Sequence, residues 1–168
     1  GMTTMSEVSI RIAKDDDFDS IYNIFHAVVK LGNTHTYFPE TNKEDAYQLW
    51  MPPHKETFVA IVDNNIVGTY FLRANQIGLG SHIANAAYMV HPSEHGKGIG
   101  TLMAKHSINR ATEFGYHAMQ FNIVVSTNEK AVNLWKKCGF KIIGTTPNGF
   151  NHSTFGYVDT YIMYKPLK

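Results

Sequence analysis

A loop with closely spaced glycines holds the residues of this chain that are best suited to chemistry. Gly96, Gly98 and Gly100 stand at every second position of VHPSEHGKGIGT, residues 90–101. Because glycine lacks a Cβ atom, the backbone of such a loop can turn tightly and bring successive N–H groups against a bulky anion. An amphipathic helix pattern follows, and the first N–H groups of a helix lack internal partners and carry partial positive charge. The spacing predicts a pyrophosphate site.

Two nucleotide-binding motifs compete for this loop. A P-loop requires Gly-Lys followed by Ser or Thr, whereas Lys97 is followed by Gly98. A dinucleotide-binding loop requires G-x-G-x-x-G and an acidic residue about 20 positions later. The glycines here run G-x-G-x-G, and the corresponding later residue is Gln120. The spacing therefore disfavours both motifs.

The same stretch contains H-x-x-E-H, from His91 to His95, which on a helix would be typical of a zinc protease. Pro92 and Gly96 favour a turn instead of a helix. A turn would not bring the two imidazoles onto one helical face. We therefore expect no metal.

Residues 95–100, HGKGIG, resemble the core motif of the GCN5-related N-acetyltransferase (GNAT) family, which is Gln or Arg, two residues, Gly, one residue, then Gly or Ala. The glycines match, and His95 stands where the family has Gln or Arg. A second block, NEKAVNLWKKCGF at residues 128–140, is similar to the family's block of Asn, Ala, an aromatic residue and Gly-Phe. Two ordered blocks at this separation are more specific than either one alone.

The resemblance implies that the loop and the end of the preceding strand bind acetyl-coenzyme A (acetyl-CoA), mostly through backbone N–H groups. Asn128 has two roles that can both hold, as the N-cap of a helix and as a contact to the pantetheine arm. The residues expected to bind the coenzyme are Met89, Val90, His95, Gly96, Lys97, Gly98, Ile99, Gly100, Thr101, Asn128 and Trp135.

The resemblance also implies acetyl transfer from acetyl-CoA to a primary or secondary amine. The family stabilises the oxyanion with a backbone N–H at the end of the strand, here that of Val90 or its neighbour Met89. Many members have a proton-donating Tyr seven residues after the motif Asn, whereas Trp135 stands there in this chain, and an indole is not a usable acid. Tyr88 is our first replacement, because it lies on the same strand face as Val90. The alternatives are Tyr157, Tyr161, water, and a purely structural role for Tyr88.

A general base is needed only if the acceptor amine arrives protonated. Glu94 is our catalytic candidate, and the other candidates are His91, His152 and Asp159. Most of the nine histidines are expected to be solvated or structural.

Acceptor-binding residues are expected at separate places in the chain. By resemblance, the segment between the first helix and the second strand forms the acceptor side, which makes Tyr37 and Phe38 candidates, with packing as their alternative role. Asn122 interrupts an apolar strand, and a buried amide needs partners. The run around Asn122 and the segment 147–152, which contributes His152, are similar to a subgroup that includes fungal enzymes acetylating proline analogues such as azetidine-2-carboxylate.

We therefore expect a small-molecule amine as the acceptor, and an amino acid or an analogue of one is the candidate that the resemblance suggests. Two alternatives stay open. The first is acetylation of a protein N-terminus or lysine. The second is a non-catalytic coenzyme A binding module, which Trp135 would favour because it removes the familiar acid.

The elements that must position these residues follow from hydrophobic periodicity. Helix patterns cover the stretch from Phe18 to the stop at Gly32-Asn33, residues 43–50, the stretch from the glycine loop to Gly115, and the block that begins at Asn128. Strand patterns cover residues 8–13, 57–62, 66–73, 83–90, 118–125, 140–146 and 157–164, with a hairpin turn at residues 63–65. They predict one α/β domain over residues 1–168, with a GNAT-like, mixed and mostly antiparallel sheet of six or seven strands and about four helices.

Composition disfavours several other classes of protein. Fifteen basic and 14 acidic residues give a net charge of +1, without the basic cluster that nucleic-acid binding needs. The single cysteine, Cys138, excludes an intrachain disulfide and is expected to serve packing. No secretory segment or membrane span is visible, so we expect a cytoplasmic protein with no membrane partner. A homodimer is a further expectation, because dimers are common among proteins of this fold. Gly1 is expected to be a cloning remnant.

Overall fold

A seven-stranded sheet organises the fold, and the computed structural model describes residues 7–168. The expectation about Gly1 lies outside the described residues. The helices are α1 (Phe18–Val29), α2 (Lys43–Trp50), α3 (Ile99–Glu113) and α4 (Glu129–Lys137). The strands are β1 (Ser9–Ile12), β2 (Glu56–Val62), β3 (Asn65–Ala74), β4 (Ile83–Val90), β5 (Ala118–Val125), β6 (Lys141–His152) and β7 (Gly156–Pro166).

The strand order is β1-β2-β3-β4-β5-β7-β6, and every neighbouring pair is antiparallel except β4 and β5. This confirms the predicted mixed, mostly antiparallel sheet. The predicted hairpin turn is also confirmed, because Asp63 and Asn64 adopt left-handed conformations with φ of 49° and 65°. Asn and Asp tolerate this conformation better than most residues.

The last two strands are longer than predicted. Pro147, Asn148 and Gly149 indicate a loop after residue 146, but β6 continues to His152 because the irregularity is absorbed within the strand. Pairing with β7 shifts between Thr146 and Phe150 and then resumes. A bulge of this kind inserts residues into one strand without ending the ladder.

The sheet is covered on both faces by helices with apolar stripes. On one face, α1 and α2 bury Phe25 and Trp50 against β3 and β4. On the other face, α3 and α4 bury Met103 and Trp135 against the central strands. The N-cap of α2 is Asn42, whose side chain accepts a hydrogen bond from the Asp45 amide at 2.8 Å. Two packed layers hold the central strands rigidly from both sides.

The feature that positions the site is a divergence between β4 and β5. Their parallel pairing covers only Ile83↔Ala118 and Ala84↔Met119. Farther along, β5 stays paired with β7 through a register shift between Phe121 and Val124. The carboxyl-terminal half of β4 therefore has a gap on one side and β3 on the other. Within residues 7–168, no helix has the length and apolar character needed to cross a membrane.

Candidate functional site

The gap between β4 and β5 opens into a cleft of about 990 Å³. Its walls are the glycine loop with the start of α3, one face of α4, the end of β4 and the segment that follows α1. Of the predicted coenzyme residues, Lys97 and Trp135 do not line the cleft. Those that line it are Met89, Val90, His95, Gly96, Gly98, Ile99, Gly100, Thr101 and Asn128.

The glycine loop has the backbone conformation that its sequence predicts. Gly96 and Gly98 have φ of 81° and 78°, and a Cβ atom at either position would meet nothing within 4 Å. Glycine is therefore needed for its conformation and not for lack of space. The first intrahelical bond of α3 runs from the Leu102 amide to the Gly98 carbonyl oxygen at 3.1 Å. The preceding amides of Ile99 to Thr101 lie at the positive end of the helix.

The H-x-x-E-H sequence forms a turn, as predicted. Pro92–Glu94 is a 3₁₀ turn, and the His91 Nδ1 atom accepts a hydrogen bond from the Ser93 amide at 3.1 Å. Among residues 7–168, no three His, Cys, Asp or Glu side chains cluster so that they could hold a metal ion.

Lysines that the sequence analysis did not single out line the same cleft. Lys105 lies on α3, and Lys130 and Lys137 lie on α4. None of them forms an ion pair within the described part of the chain. Lys130 and Lys137 are two helical turns apart, so their shared face was a signal available from the sequence. The cleft is thus suited to a ligand with several negative charges.

The register of β4 directs one backbone amide into the gap. The His91 amide donates to the Val67 carbonyl oxygen at 2.9 Å, so the N–H and C=O groups of Val90 and Tyr88 point away from β3. On that side β5 has already diverged. The Met89 amide points toward β3 instead. Of the two predicted oxyanion donors, the geometry favours Val90.

Tyr88 lies in the wall of the cleft, with its ring centroid 4.9 Å from that of Trp135. Its hydroxyl oxygen is 2.6 Å from Ser107 Oγ, and Ser107 donates to the Ala104 carbonyl oxygen at 2.7 Å. Since a serine hydroxyl has one proton, the Tyr88 hydroxyl must donate to Ser107. Burial raises the pKa of Tyr88 above its ordinary value. The Tyr88 proton is therefore directed toward α3 and held there.

Trp135 is a core residue behind the cleft wall. Its side chain is 7% exposed, and its ring packs against those of Phe121 and Phe140 at centroid distances of 4.4 Å and 5.5 Å. Cys138, at the end of α4, packs against the same core and also borders the cleft. Burial raises the pKa of the Cys138 thiol.

Glu94 borders the cleft, but its carboxylate is engaged. Its Oε2 atom lies 2.6 Å from Lys97 Nζ, and Lys97 itself does not line the cleft. As a base, Glu94 would first have to leave this lysine. His152 is similarly occupied, because its Nδ1 atom accepts hydrogen bonds from the Thr154 and Phe155 amides at 3.0 Å and 3.2 Å.

The two aromatic candidates after α1 have different surroundings. Tyr37 packs between Phe25 and Trp50, whose ring centroids lie 5.3 Å and 6.4 Å from its own. These contacts correspond to the structural role that was the alternative to acceptor binding. Phe38 is 79% exposed. Neither residue lines the cleft.

Asn122 belongs to a group of amide side chains that we call the amide cluster, on the face of β4 and β5 opposite α3 and α4. Asn122 Nδ2 donates to Asn75 Oδ1 at 2.8 Å, and Gln120 Nε2 donates to Asn122 Oδ1 at 3.2 Å. Asn85 Nδ2 donates to the Gln120 carbonyl oxygen at 3.0 Å, where β4 and β5 begin to diverge. The cluster therefore stands at the inner end of the gap. Its members are Asn75, Asn85, Gln120 and Asn122.

The segment after α1 supplies cleft residues that no motif marked. His35 lines the cleft, and its Nε2 atom lies 3.0 Å from the Tyr88 carbonyl oxygen. Burial lowers the pKa of His35 to about 4, so the ring is neutral near pH 7. Thr34 also lines the cleft, and its Oγ1 atom is buried without a hydrogen-bond partner in the described residues. An orphaned buried hydroxyl in a cleft wall is consistent with a ligand group as its partner.

The tip of the β6–β7 hairpin is fastened to the same segment. The Ser153 amide donates to the Gly32 carbonyl oxygen at 2.9 Å, and Ser153 Oγ donates to the Leu31 carbonyl oxygen at 2.7 Å. Leu31 borders the cleft. The hairpin therefore bounds the cleft region on the side of α1.

Comparisons with known proteins agree with this geometry. The sequence profile of the Acetyltransferase (GNAT) family matches residues 18–140. The N-acetyltransferase aca1 of Schizosaccharomyces pombe is 33% identical over 113 residues, which are 66% of this chain and 54% of the yeast protein. This chain thus spans about half the length of that relative.

Solved structures resemble the fold over nearly its whole length. A GCN5-related N-acetyltransferase from Kribbella flavida is 39% identical, with a TM-score of 0.91 and coverage of 95% of this chain and 97% of that one. A GNAT superfamily phosphinothricin acetyltransferase from Sinorhizobium meliloti, in complex with acetyl-CoA, is 18% identical, with a TM-score of 0.84 and coverage of 95% and 88%. At the latter identity, the similarity concerns the fold alone.

Proposed function

This chain belongs to the GNAT family of acetyltransferases, and from that premise we propose that it transfers the acetyl group of acetyl-CoA directly to the amine of a small molecule. The observation that carries the proposal is the placement of the Val90 amide and the glycine loop on one cleft, at opposite ends of the short segment that joins them. The loop would hold the anionic end of the donor, and the amide would face its acyl end.

The residues present suit acetyl-CoA. Its pyrophosphate would lie against the amides of Ile99, Gly100 and Thr101, where the helix terminus favours negative charge. The lysines of the cleft would attract the remaining phosphate. Asn128 caps α4 through a 3.4 Å hydrogen bond to the Ala131 amide, and its position in the cleft wall also supports a pantetheine contact.

The chemistry requires a neutral amine near the thioester, stabilisation of the developing oxyanion, and a proton for the departing thiolate. The Val90 N–H would donate to the oxyanion. Since the Tyr88 proton is directed to Ser107, we propose that water carries the proton lost by the amine nitrogen to the departing thiolate sulfur. Glu94 stays a candidate base if the amine arrives protonated, acting from the border of the cleft.

A small acceptor suits the bounded cleft. A peptide would need an open groove, whereas Ser153 ties the β6–β7 hairpin to the end of α1 with two hydrogen bonds. We infer that this tie would limit the room for a long peptide on the side of α1. This contact supports a small-molecule amine over a protein N-terminus or lysine.

The amide cluster supports an amino-acid-like acceptor. Asn85 and Asn122 lie where β4 and β5 begin to diverge and do not line the cleft, so they would contact only an acceptor that extends from the cleft toward this point. Nearby, Arg73 Nε donates to Asn85 Oδ1 at 3.1 Å, but Arg73 itself lines a separate cavity beside Pro52 and Lys55. Tyr37, Phe38 and His152 would act as surrounding structure more than as direct ligands.

Other properties remain proposals of the same kind. A single cysteine agrees with a reducing compartment, and we propose a cytoplasmic location. We also propose a homodimer. A non-catalytic coenzyme A binding module is the second candidate function, and the burial of Trp135 at the place of the familiar acid is the observation that favours it.

The test is release of free thiol from acetyl-CoA over a panel of amino acids, proline analogues including azetidine-2-carboxylate, polyamines and short peptides. The key variant is Gly98→Trp, which would place a bulky side chain at a left-handed position in the glycine loop. The matched control is Gly78→Trp, because Gly78 also has a positive φ and open surroundings but lies in an exposed turn between β3 and β4.

We expect amine-dependent thiol release that Gly98→Trp abolishes and Gly78→Trp retains. Release with small amines but not peptides would support the small-molecule assignment, and the reverse order would contradict it. Coenzyme A binding by calorimetry, without release by any amine, would favour the binding module.

A further inference from the structure

His35 holds a position that neither the glycine loop nor the α4 block specifies. It follows α1, lies in the cleft wall and contacts β4 through Nε2, 3.0 Å from the Tyr88 carbonyl oxygen. Tyr88 C=O and Val90 N–H lie on the same edge of β4, next to each other along the gap. His35 is thus fixed beside the atom proposed to face the oxyanion.

The hydrogen bond defines the tautomer of the imidazole. A carbonyl oxygen can only accept, so Nε2 must carry the proton. In a neutral ring Nδ1 then has a free lone pair. Nδ1 has no hydrogen-bond partner within residues 7–168, and it is not among the buried orphaned atoms, of which Thr34 Oγ1 is the one found there. The lone pair is therefore open to a ligand in the cleft.

The electrostatic state of His35 suits an amine. Burial lowers the pKa of His35 to about 4, which keeps the ring uncharged near pH 7. A charged imidazole would repel an ammonium group and would have no lone pair to offer. The low basicity also means that His35 is better suited to orient an N–H group than to store its proton.

Resting on the proposed function, we infer that His35 Nδ1 accepts a hydrogen bond from the N–H of the acceptor amine and thereby directs the nitrogen lone pair toward the thioester carbon. The Tyr88 carbonyl oxygen holds the ring in the tautomer that this contact requires. The arrangement selects primary and secondary amines, because a tertiary amine has no N–H to donate in its neutral form.

The decisive variant is His35→Gln. Glutamine can place an amide N–H near the position of Nε2 and keep the bond to Tyr88, but its one acceptor, the carbonyl oxygen Oε1, is then displaced from the position of Nδ1. We expect kcat/KM for the amine to fall roughly tenfold or more, the effect of losing one well-placed hydrogen bond, with KM for acetyl-CoA and the unfolding midpoint nearly unchanged. The control is His82→Gln, because His82 is exposed and packs against His117 away from the cleft. His82→Gln should match the wild type.

Three kinetic outcomes would overturn the inference: wild-type kcat/KM in His35→Gln, an effect confined to KM for acetyl-CoA, or an equal loss in His82→Gln. None of them would affect the proposed acetyl transfer itself. If His35→Gln lost activity because it was less stable, its unfolding midpoint would be lower than that of the wild type. The expected result, in contrast, is a loss of activity with a nearly unchanged midpoint.

A second measurement does not depend on turnover. Nitrogen-15 NMR of the His35 ring, in protein saturated with coenzyme A, should show Nε2 protonated and Nδ1 unprotonated, and azetidine-2-carboxylate as the probe should shift Nδ1. A protonated Nδ1 in the free protein, or an Nδ1 resonance that the probe leaves in place, would overturn the inference. Absence of thiol release with every amine would instead count against the proposed function, and the NMR result would still decide the role of His35.

Discussion

Ser153 and Leu31 join the last hairpin of the chain to the end of its first helix. Ser153 Oγ donates to the Leu31 carbonyl oxygen at 2.7 Å, and the adjacent backbone bond to Gly32 strengthens the contact. Because Leu31 borders the cleft, a local change at Ser153 should be transmitted to the acceptor side.

The variant Ser153→Ala tests this transmission. It removes one hydroxyl bond while the backbone bond stays, so we expect KM for the amine to rise roughly three- to tenfold, since one such bond contributes about 1 kcal/mol. KM for acetyl-CoA should not change. Ser81→Ala is the control, because Ser81 Oγ makes an equivalent 2.7 Å bond to the Gly78 carbonyl oxygen in an exposed turn. Equal steady-state constants in both variants would contradict a role of the tie in acceptor binding.

The cleft lysines should contribute to coenzyme affinity through charge. Replacing both Lys130 and Lys137 with Ala should raise the Kd for acetyl-CoA roughly tenfold at low ionic strength, and less in high salt, because exposed charges are screened. Calorimetry at two salt concentrations measures this. A double variant of Lys141 and Lys168, which are exposed and outside the cleft, is the control. A loss of affinity that salt does not reduce would argue against an electrostatic cause.

Tyr88→Phe tests water as the proton source. The Tyr88 hydroxyl donates to Ser107 and is directed away from the cleft, so its removal should leave kcat within about threefold of the wild type. Removal of the buried hydrogen bond should lower the free energy of unfolding by about 1 kcal/mol. Steady-state kinetics and urea denaturation measure the two effects. A fall in kcat of two orders of magnitude, without loss of the fold, would restore Tyr88 as the acid.

His35 should make the fold less stable in mild acid. Its pKa is lowered from 6.5 to about 4 in the folded protein, so between these values the unfolded chain binds a proton that the folded protein does not. The free energy of unfolding should therefore decrease as the pH falls from about 6.5 to about 4, by at most about 3 kcal/mol. Urea denaturation at several pH values should show a shallower pH dependence for His35→Gln. An unchanged dependence would mean that His35 is not the responsible group.

Most of the fold could be predicted from the sequence because its signals are local. The strands at residues 83–90 and 118–125 and the helix Lys43–Trp50 match their predicted bounds, since each has a continuous periodic pattern and a clear end. The turn at Asp63 and Asn64 follows from residue conformational preference. The hairpin of β6 and β7 was predicted too short, because a bulge is stabilised by the neighbouring strand and leaves no local pattern of its own.

The proposed donor side of the site could likewise be predicted from the sequence alone. Gly96 and Gly98 need left-handed backbone conformations, and the helix after them supplies free amides, so one continuous segment encodes the cradle. Only the tertiary structure decided the rest. The register of β4 against β3 turns the Val90 amide, and not that of Met89, toward the side where β5 has diverged. The contact with Ser107 turns the Tyr88 proton inward, and packing brings His35 to the Tyr88 carbonyl oxygen. Each of these features depends on strand register or on contacts between residues that are distant in the chain. A local sequence pattern contains no information on either.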